Sequence, residues 1–376
     1  MPVEIPAEAR PRKLLSIIVH GKNDAYMGNF LWRLSSCLNK HARNLAEIGA
    51  RDSAEIVLAD WGSEVPLAGA LTLEKAAQEL TRVIQVSPAV AAKYNRDSPY
   101  SSAHAINTAA RRVQGQFILL CDSDSYLPLA STAQILDGIR NGRIGGRSLE
   151  ETIFLGSRFH VPKAFHAQAP SLETLDAYIQ ENQRTFAHDK LNFRFFGGAQ
   201  GSFLCATRIW HECTGIDEKL IYVGWCDIDL FIRLASTYRC ADLEDLGIPT
   251  FHLEHFHGAE DRSSRREIPR KINENVVPHC YAPNGADWGL RDEPLLADTT
   301  NSEAETRFEI PPRSTPADGQ IYYDLQKIAR HLYWVWILIE RDPTYRDPLT
   351  ATTARLRQIQ ERVRDRLEDW LSYRQR

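Results

Sequence analysis

Three short stretches of this chain gather residue types that hold cations, take protons or face a sugar. Asp122-Ser123-Asp124 follows an apolar run. Two carboxylates at i and i+2, at a strand end, can hold a divalent cation and reach a ribose. Hard cations such as Mg²⁺ and Mn²⁺ take oxygen ligands and often bind through one or two carboxylates plus substrate phosphates. The plain alternative is a pair of Asp residues capping a turn, which is what most such tripeptides are. Gly224-Trp225-Cys226-Asp227-Ile228-Asp229 places Asp227 at the start of a helix. A carboxylate there caps the helix, or serves as a general base if an acceptor hydroxyl comes within hydrogen-bond reach. Trp225 offers an apolar face to a sugar ring or joins the core. Phe251-His252-Leu253-Glu254-His255-Phe256-His257 holds three histidines within six residues, a metal-ligand composition. In an extended segment His255 and His257 share one face and His252 takes the other, so not all three need be ligands.

Other reactive patterns are missing from the sequence. It has no GxSxG, no Walker A loop and no HExxH. Gly197-Gly198-Ala199-Gln200-Gly201 lacks the strand-to-helix setting of a dinucleotide loop. It reads as a place where backbone approaches a ligand or a neighbouring strand.

The elements that must position these residues alternate. Leu14–Val19 reads as a buried strand ending in the polar loop His20-Gly21-Lys22-Asn23-Asp24. Phe30, Leu31, Leu34 and Leu38 follow at helical spacing. Glu55–Ala59 is a second strand ending at Asp60-Trp61-Gly62-Ser63. A helical stretch over about 70–82 leads to a third, Val83–Val86. A helix from Ser102 to Val113 leads to a fourth, Phe117–Cys121. Strands and helices in alternation predict a parallel α/β sheet, with ligands beyond the carboxyl ends of its strands. Further on, Thr152–Leu155 reads as a strand, Ile228–Leu234 as a helix and 268–316 as proline-rich loop. A helical tail starts near Ile321, with an apolar stripe at Leu356, Ile359, Val363, Leu367, Trp370 and Leu371.

The 376 residues include 45 Lys or Arg and 49 Asp or Glu, a net charge of -4, with 43% hydrophobic residues. That is a globular composition, and it gives no electrostatic case for nucleic-acid binding. The longest apolar runs, such as Tyr333–Ile339, fall short of the roughly 20 residues a membrane span needs. The amino terminus lacks the basic start and apolar centre of a signal peptide. The seven scattered cysteines form no CxxC pair. These features predict reduced thiols in a cytoplasmic protein.

Taken in order, SIIVHGKND, EIVLADWGS, ILLCDSDS, GGAQGSFLCATRIWHECTGIDEKLIYVGWCDIDLFIRL and FHLEH resemble the family-2 glycosyltransferases with a GT-A fold. The later block is similar to the galactosyltransferase-type carboxyl half of that fold. The likeness spans roughly residues 14–262. It implies an α/β fold, a Rossmann-like mixed sheet of the nucleotide-diphospho-sugar transferase type, with a mainly α-helical C-terminal extension. The corresponding division is 1–267 for the GT-A domain, 268–316 for an irregular linker or lid and 317–376 for the extension.

The resemblance also implies site roles. His20, Lys22 and Asp24 border the nucleotide base and diphosphate, and Asp60 hydrogen-bonds the uracil or ribose end. Asn107 lines the donor pocket. Asp122, with Ser123 beside it, lies near the ribose, and Asp124 binds Mn²⁺ or Mg²⁺. Asp227 is the catalytic base, with Trp225 beside it. His252 or His255 is the late metal ligand, and Gly198 and Gly201 lie beside sugar or acceptor. The implied reaction moves a hexose or N-acetylhexosamine from a nucleotide sugar, with UDP as carrier, to a hydroxyl of a carbohydrate, peptide or small-molecule acceptor.

The chain departs from the family at Cys226, which stands where the family has Glu, and at His20, where proline is common. Cys226 keeps a second expectation alive, a non-catalytic carbohydrate- or nucleotide-binding scaffold on a degenerate GT-A fold. A nucleotidyltransferase ranks last, since HGKND supplies only one glycine and one lysine for a phosphate loop. Asn284–Leu290 reads as a loop able to close over the site. The Trp- and Tyr-rich tail reads first as packing against the catalytic domain, with a homo-oligomer interface or an acceptor platform as the sharper readings. Peripheral membrane contact stays open.

Overall fold

The apolar runs become strands, each somewhat longer than its apolar core. In the computed structural model these are β1 Lys13–Gly21, β2 Ala54–Trp61, β3 Thr81–Val86 and β4 Gly115–Cys121. The residues described are 13–24, 26–191, 200–222, 224–255, 273, 277–298 and 310–341. Gly198, His257 and the stripe from Leu356 to Leu371 lie outside them. β1 pairs in parallel with β2 and β4, and β2 with β3. Every residue of β2 is buried, which is why it reads as a continuous apolar run and not as an alternating one.

The sheet continues through β5 Ser125–Tyr126, β8 Thr152–Val161, β9 Ala187–Asp189, β10 Gln200–Ala206, β11 Arg239–Asp242, β12 Thr250–Leu253 and β13 Ala297–Asp298. A separate hairpin joins β6 Arg143–Ile144 to β7 Arg147–Ser148. The strand order is β13-β3-β2-β1-β4-β10-β8-β12-β5, with β9 and β11 also on β8. β10 runs antiparallel between β4 and β8, so the sheet is mixed. The helices Phe30–Glu47 and Ser102–Ala110 pack beside its parallel part.

The helix expected over 70–82 is shorter. It covers Lys75–Leu80, and Thr81 and Arg82 already belong to β3. Arg82 pairs with Val57, and its guanidinium lies 3.3 Å from Glu55. Sheet pairing thus overrides the local helical pattern.

The described parts of the expected linker and extension are built into the main fold. β13 pairs antiparallel with β3, and Tyr281, Trp288 and Leu290 are buried in the central core. The loop 284–290 does not cover the carboxyl ends of the strands. Asn284 instead donates to the carbonyls of Thr214 and Ile216, both at 2.6 Å. Arg111 stacks 4.7 Å from the Trp288 ring centre, and Arg112 donates to the carbonyls of Gly289 and Leu290. The helix Gly319–Arg341 buries Tyr322 and Tyr323 in the same core, so the packing reading holds for its first turns. No helix among the described residues is long and apolar enough to cross a membrane. The seven cysteines are free thiols.

Two buried groups fix elements that carry site residues. Arg233 is fully buried, 2.8 Å from Asp229, and donates to the carbonyls of Cys213, Gly215 and Tyr281. A buried pair needs such extra hydrogen bonds to offset desolvation. It ties the helix Cys226–Ala235 to the turn before it. His104 stacks on Trp61, at the end of β2, with ring centres 5.7 Å apart.

Burial pushes the His104 ring down to about 4, and the charge of Arg96 adds to this. Its folded value lies below the ordinary 6.5. The unfolded chain therefore takes up this proton first, and the contribution to stability, complete above pH 6.5, is lost as pH falls toward 4. His104→Phe keeps the ring contact and cannot titrate. Between those two pH values the variant should lose less stability than the unaltered chain, by up to about 3 kcal/mol. Urea unfolding at each pH measures this, and equal losses would contradict it.

Candidate active site

Parallel pairing brings the carboxyl ends of β1, β2 and β4 to one edge, with Gly21 opposite Asp60. His20, Asp60 and Asp122 reach that edge. After β4 the chain makes a tight turn in which the Ser125 N–H donates to the Asp122 carbonyl at 3.0 Å. β5 then pairs with β12, placing Ser125 opposite His252, and the Leu253 N–H donates to the Asp124 carbonyl at 3.0 Å. Backbone pairing alone therefore delivers Asp124 to the histidine segment.

Asp124 is 5% exposed. His252 Nε2 lies 3.4 Å from its Oδ1, and His255 Nε2 lies 3.8 Å from its Oδ2. Ligand atoms of the three residues all fall within 4.8 Å of one another. The strand-face argument had separated His252 from His255. The structure brings them together, ring centres 5.1 Å apart, because β12 ends at Leu253 and the alternation ends with it. Burial would raise the Asp124 pKa, but His252, His255 and Arg33 outweigh it and hold the carboxyl well below the carboxylate range. Burial pushes His252 down to about 4 despite Asp124. A neutral imidazole beside an ionised carboxylate is a donor set ready for a cation.

A further ring and two carboxylates stand behind His252. His160 Nδ1 lies 3.2 Å from His252 Nδ1 and 2.9 Å from Glu254, and its Nε2 lies 3.0 Å from Asp189. Burial works against the charged form of His160, yet the hydrogen bonds to Asp189 and Glu254 keep its pKa above the ordinary value.

Asp122 and Asp227 face the same space. Burial pushes Asp122 up to about 7; Arg158, 3.4 Å away, opposes this, and the charges of Asp124 and Asp227 add to it. Burial also raises Asp227, while the N–H groups of Ile228 and Asp227 and the cations Arg158 and Arg330 pull it back. Asp227 lies in the first turn of the helix Cys226–Ala235, which has no side-chain N-cap bond. Trp225 precedes it in a left-handed conformation, with the Arg330 guanidinium 4.6 Å from its ring centre.

The first loop is anchored to its neighbours. His20 Nδ1 is 2.6 Å from the Tyr100 hydroxyl, Lys22 donates to the Pro99 carbonyl, and Asp24 accepts from the Tyr26 N–H. The half-buried Tyr100 lies within electrostatic reach of Asp24, Asp60, Asp122 and Cys226, so several of the expected nucleotide-facing residues surround it. Asp60 accepts the Leu67 N–H at 2.8 Å through Oδ2, while its buried Oδ1 makes no regular hydrogen bond. Ser123 sits half-buried in the turn. Gly201 occupies the bulge of β10 against β8. A Cβ there would meet Thr250 Cγ2 at 2.7 Å and Arg158 Cβ at 3.2 Å, so glycine lets β10 lie close beside Arg158.

Asn107 does not join this group. It is fully buried, and its amide donates to the Ile216 carbonyl at 2.8 Å and to Glu218 at 3.0 Å, while its oxygen accepts the Ile216 N–H at 2.9 Å. With these atoms taken up by the 216–218 turn, it serves the fold and not a donor pocket. Sequence reasoning missed Arg33, Tyr100, Arg158, His160 and Arg330. Only the alternation Arg158-Phe159-His160 could have flagged any of them, as two polar side chains on one face of a strand.

The mixed α/β sheet and the carboxylate–histidine group at the carboxyl ends of its parallel strands define a GT-A type glycosyltransferase fold. The family model described as "Glycosyltransferase like family 2" matches residues 64–248. No curated protein matches. Among solved structures the chain is similar to S. aureus TarS, at 15% identity and a TM-score of 0.40, over 64% of this chain and 37% of that one. It is also similar to GalNAc-T7 crystallised with UDP, GalNAc and Mn²⁺, at 10% identity and a TM-score of 0.40, over 64% and 43%. For S. aureus TarS 1-349 in complex with UDP the values are 14% and 0.38, over 66% and 62%. The chain thus spans from 37% to 62% of the length of these structures. The family span takes in Asp122, Asp124 and Asp227 and stops before His252.

Asn107→Ala leaves the Ile216 backbone groups and Glu218 without their partner. It should lower unfolding free energy by about 1–3 kcal/mol. UDP affinity measured by calorimetry should stay unchanged at temperatures where the variant is folded. Loss of UDP binding with stability unchanged would return Asn107 to the donor pocket.

Proposed function

We propose that the chain transfers a hexose or N-acetylhexosamine from a UDP-sugar to an acceptor hydroxyl in a glycan, glycoconjugate or peptide, with inversion and with the help of a divalent cation. One observation carries this reading: Asp124, His252 and His255 converge within 4.8 Å, beside Asp122 and Asp227, at the carboxyl ends of the parallel strands. The separations of 3.4 and 3.8 Å between Asp124 and the two imidazoles exceed ordinary N–H···O lengths. The three side chains therefore face one point without closing on one another, which fits a bound cation. One carboxylate with two imidazoles suits Mn²⁺ better than Mg²⁺, which prefers an all-oxygen shell. When bound, the cation supplies Lewis-acid stabilisation of the departing diphosphate.

The residues of the chain do the rest. Asp227 takes the acceptor proton: burial raises its pKa, which favours a base, and the N–H groups of Ile228 and Asp227 with the cations Arg158 and Arg330 oppose that rise. Asp122 and the Tyr100–His20 pair border the ribose and base, and Asp60 stands at the nucleoside end of β2. Cys226 does not replace a family Glu electrostatically. Burial pushes its thiol up to about 12, so it stays neutral, 3.7 Å from the Ser102 hydroxyl. Sugar hydroxyls at that point meet a weak donor and no charge, which bears on the choice of sugar. The galactosyltransferase-type character of the later half belongs to the same reading.

A panel of nucleotide sugars assayed for nucleotide release in Mn²⁺ tests the proposal. Asp227→Asn should lower transfer by about 10²–10⁴-fold and leave UDP–Mn²⁺ binding in place. Turnover equal to that of the unaltered chain would remove Asp227 from its role. His252→Ala should weaken Mn²⁺ binding, read by electron paramagnetic resonance, and chelation should stop transfer until Mn²⁺ is restored. Full activity after exhaustive chelation would refute the metal requirement.

A further inference from the structure

Trp225 has φ +68° and follows Gly224 at φ +80°. A bulky side chain in the left-handed region is strained by about 1–3 kcal/mol and persists only where its surroundings hold it. Here it begins the helix that carries Asp227: the Asp229 N–H donates to the Trp225 carbonyl at 2.9 Å. What holds the turn comes from beyond residue 248, where the family match ends. Asn273 accepts the Tyr222 N–H at 3.1 Å and donates to the carbonyls of Tyr222 and Gly224, both at 2.7 Å. Arg330, 3% exposed, sets its guanidinium 4.6 Å from the Trp225 ring centre. Tyr322, Tyr323 and Gln326 of the same helix are buried too, with the Tyr323 hydroxyl 3.4 Å from Ser236 just past the Asp227 helix.

We propose that Arg330 is a positioning residue for the transfer step: stacked on Trp225, it fixes the left-handed turn that aims Asp227 and brings a cation to that carboxylate. A cation over an indole contributes about 0.5–2 kcal/mol, more as the site is desolvated, which is the order of the strain at Trp225. The groups facing Asp227 are Arg158 on β8, Asp122 after β4, Arg330 on the C-terminal helix and Cys226 beside it. Removing Arg330 deletes one of the two cations, Arg158 and Arg330, found near Asp227 among the described residues, so Asp227 becomes harder to ionise and the acid limb of the pH–rate profile moves to higher pH. The stack also takes one face of the Trp225 ring, leaving a sugar at most the other.

The kinetic part rests on the proposed glycosyl transfer; the structural part does not. Full-length chain labelled with 5-fluorotryptophan, its Trp225 resonance assigned with Trp225→Phe, is compared with Arg330→Ala and Arg330→Lys by ¹⁹F NMR. Arg330→Ala should shift or broaden the Trp225 resonance and leave the others in place, and Arg330→Lys should largely restore it. An unmoved resonance overturns the proposal. With the best UDP-sugar of the donor panel, Arg330→Ala should lower kcat about 10–100-fold with its acid limb at higher pH. Arg330→Lys should return the limb toward its original place, and calorimetry with UDP and MnCl₂ should show affinity unchanged in both variants. Unchanged kcat, or UDP affinity lost in step with kcat, overturns a positioning role. Should the unaltered chain release nucleotide from no donor, the transfer reading fails, and the fluorine spectra still decide whether Arg330 holds Trp225.

Discussion

Asp124 is an ionised carboxylate placed where water hardly reaches it, and the arrangement around it answers that cost. Moving such a charge out of water is unfavourable by several kcal/mol unless opposite charge and hydrogen bonds replace the water. Arg33 supplies a fully buried guanidinium, its Nε 3.6 Å from the carboxylate, braced by Asn29 and by the Tyr26 carbonyl. His252 completes the shell from β12, which reaches Asp124 by pairing with β5, and His255 from just past the end of that strand. The short β5–β12 contact, the start of the helix Phe30–Glu47 and the line His252–His160–Asp189 all make sense as means of keeping one negative charge in a dry cleft.

The same logic spreads outward with alternating sign. Asp122 and Asp227 share the cleft with Asp124 and are discouraged from ionising by burial, Asp122 also by the charges of Asp124 and Asp227, while Arg158 opposes the rise in both. A site whose carboxylates differ in readiness to hold a proton can divide labour: one keeps its charge for a cation and another accepts a proton. That division comes from placement, since all three are aspartates.

The parallel strands were legible because doubly buried strands leave continuous apolar runs, and the site's edge was legible because HGKND, DWGS and DSDS each follow such a run. Asp124 with a late histidine was legible as composition. Its geometry was not, since the alternation along β12 stops at Leu253, two residues before His255. Arg33 and Arg330 were invisible for a common reason: each meets its carboxylate or ring across a long stretch of chain, and a lone arginine in an apolar segment carries no spacing to read. Asn107 misled in the opposite way. Its position matched a family pattern, but its amide is consumed by a turn more than a hundred residues away. Asn284–Leu290 looked like a lid because glycine, asparagine and tryptophan together suggest a closing loop; the stack on Arg111 and the hydrogen bonds from Arg112 make it a clasp on another face.

β13 has two residues, yet it occupies the end of the sheet beside β3, and the neighbouring Leu296 N–H donates to the Gln85 carbonyl at 2.9 Å. A bare β3 would present a row of unsatisfied N–H and C=O groups, a template on which a second molecule can build. So short a strand covers that row at Ile84 and Gln85 while offering almost no new row of its own. The segment past residue 248 thus shortens the stretch of β3 on which a strand of another molecule could pair. Removing β13 alone would return that stretch of β3 to an open edge.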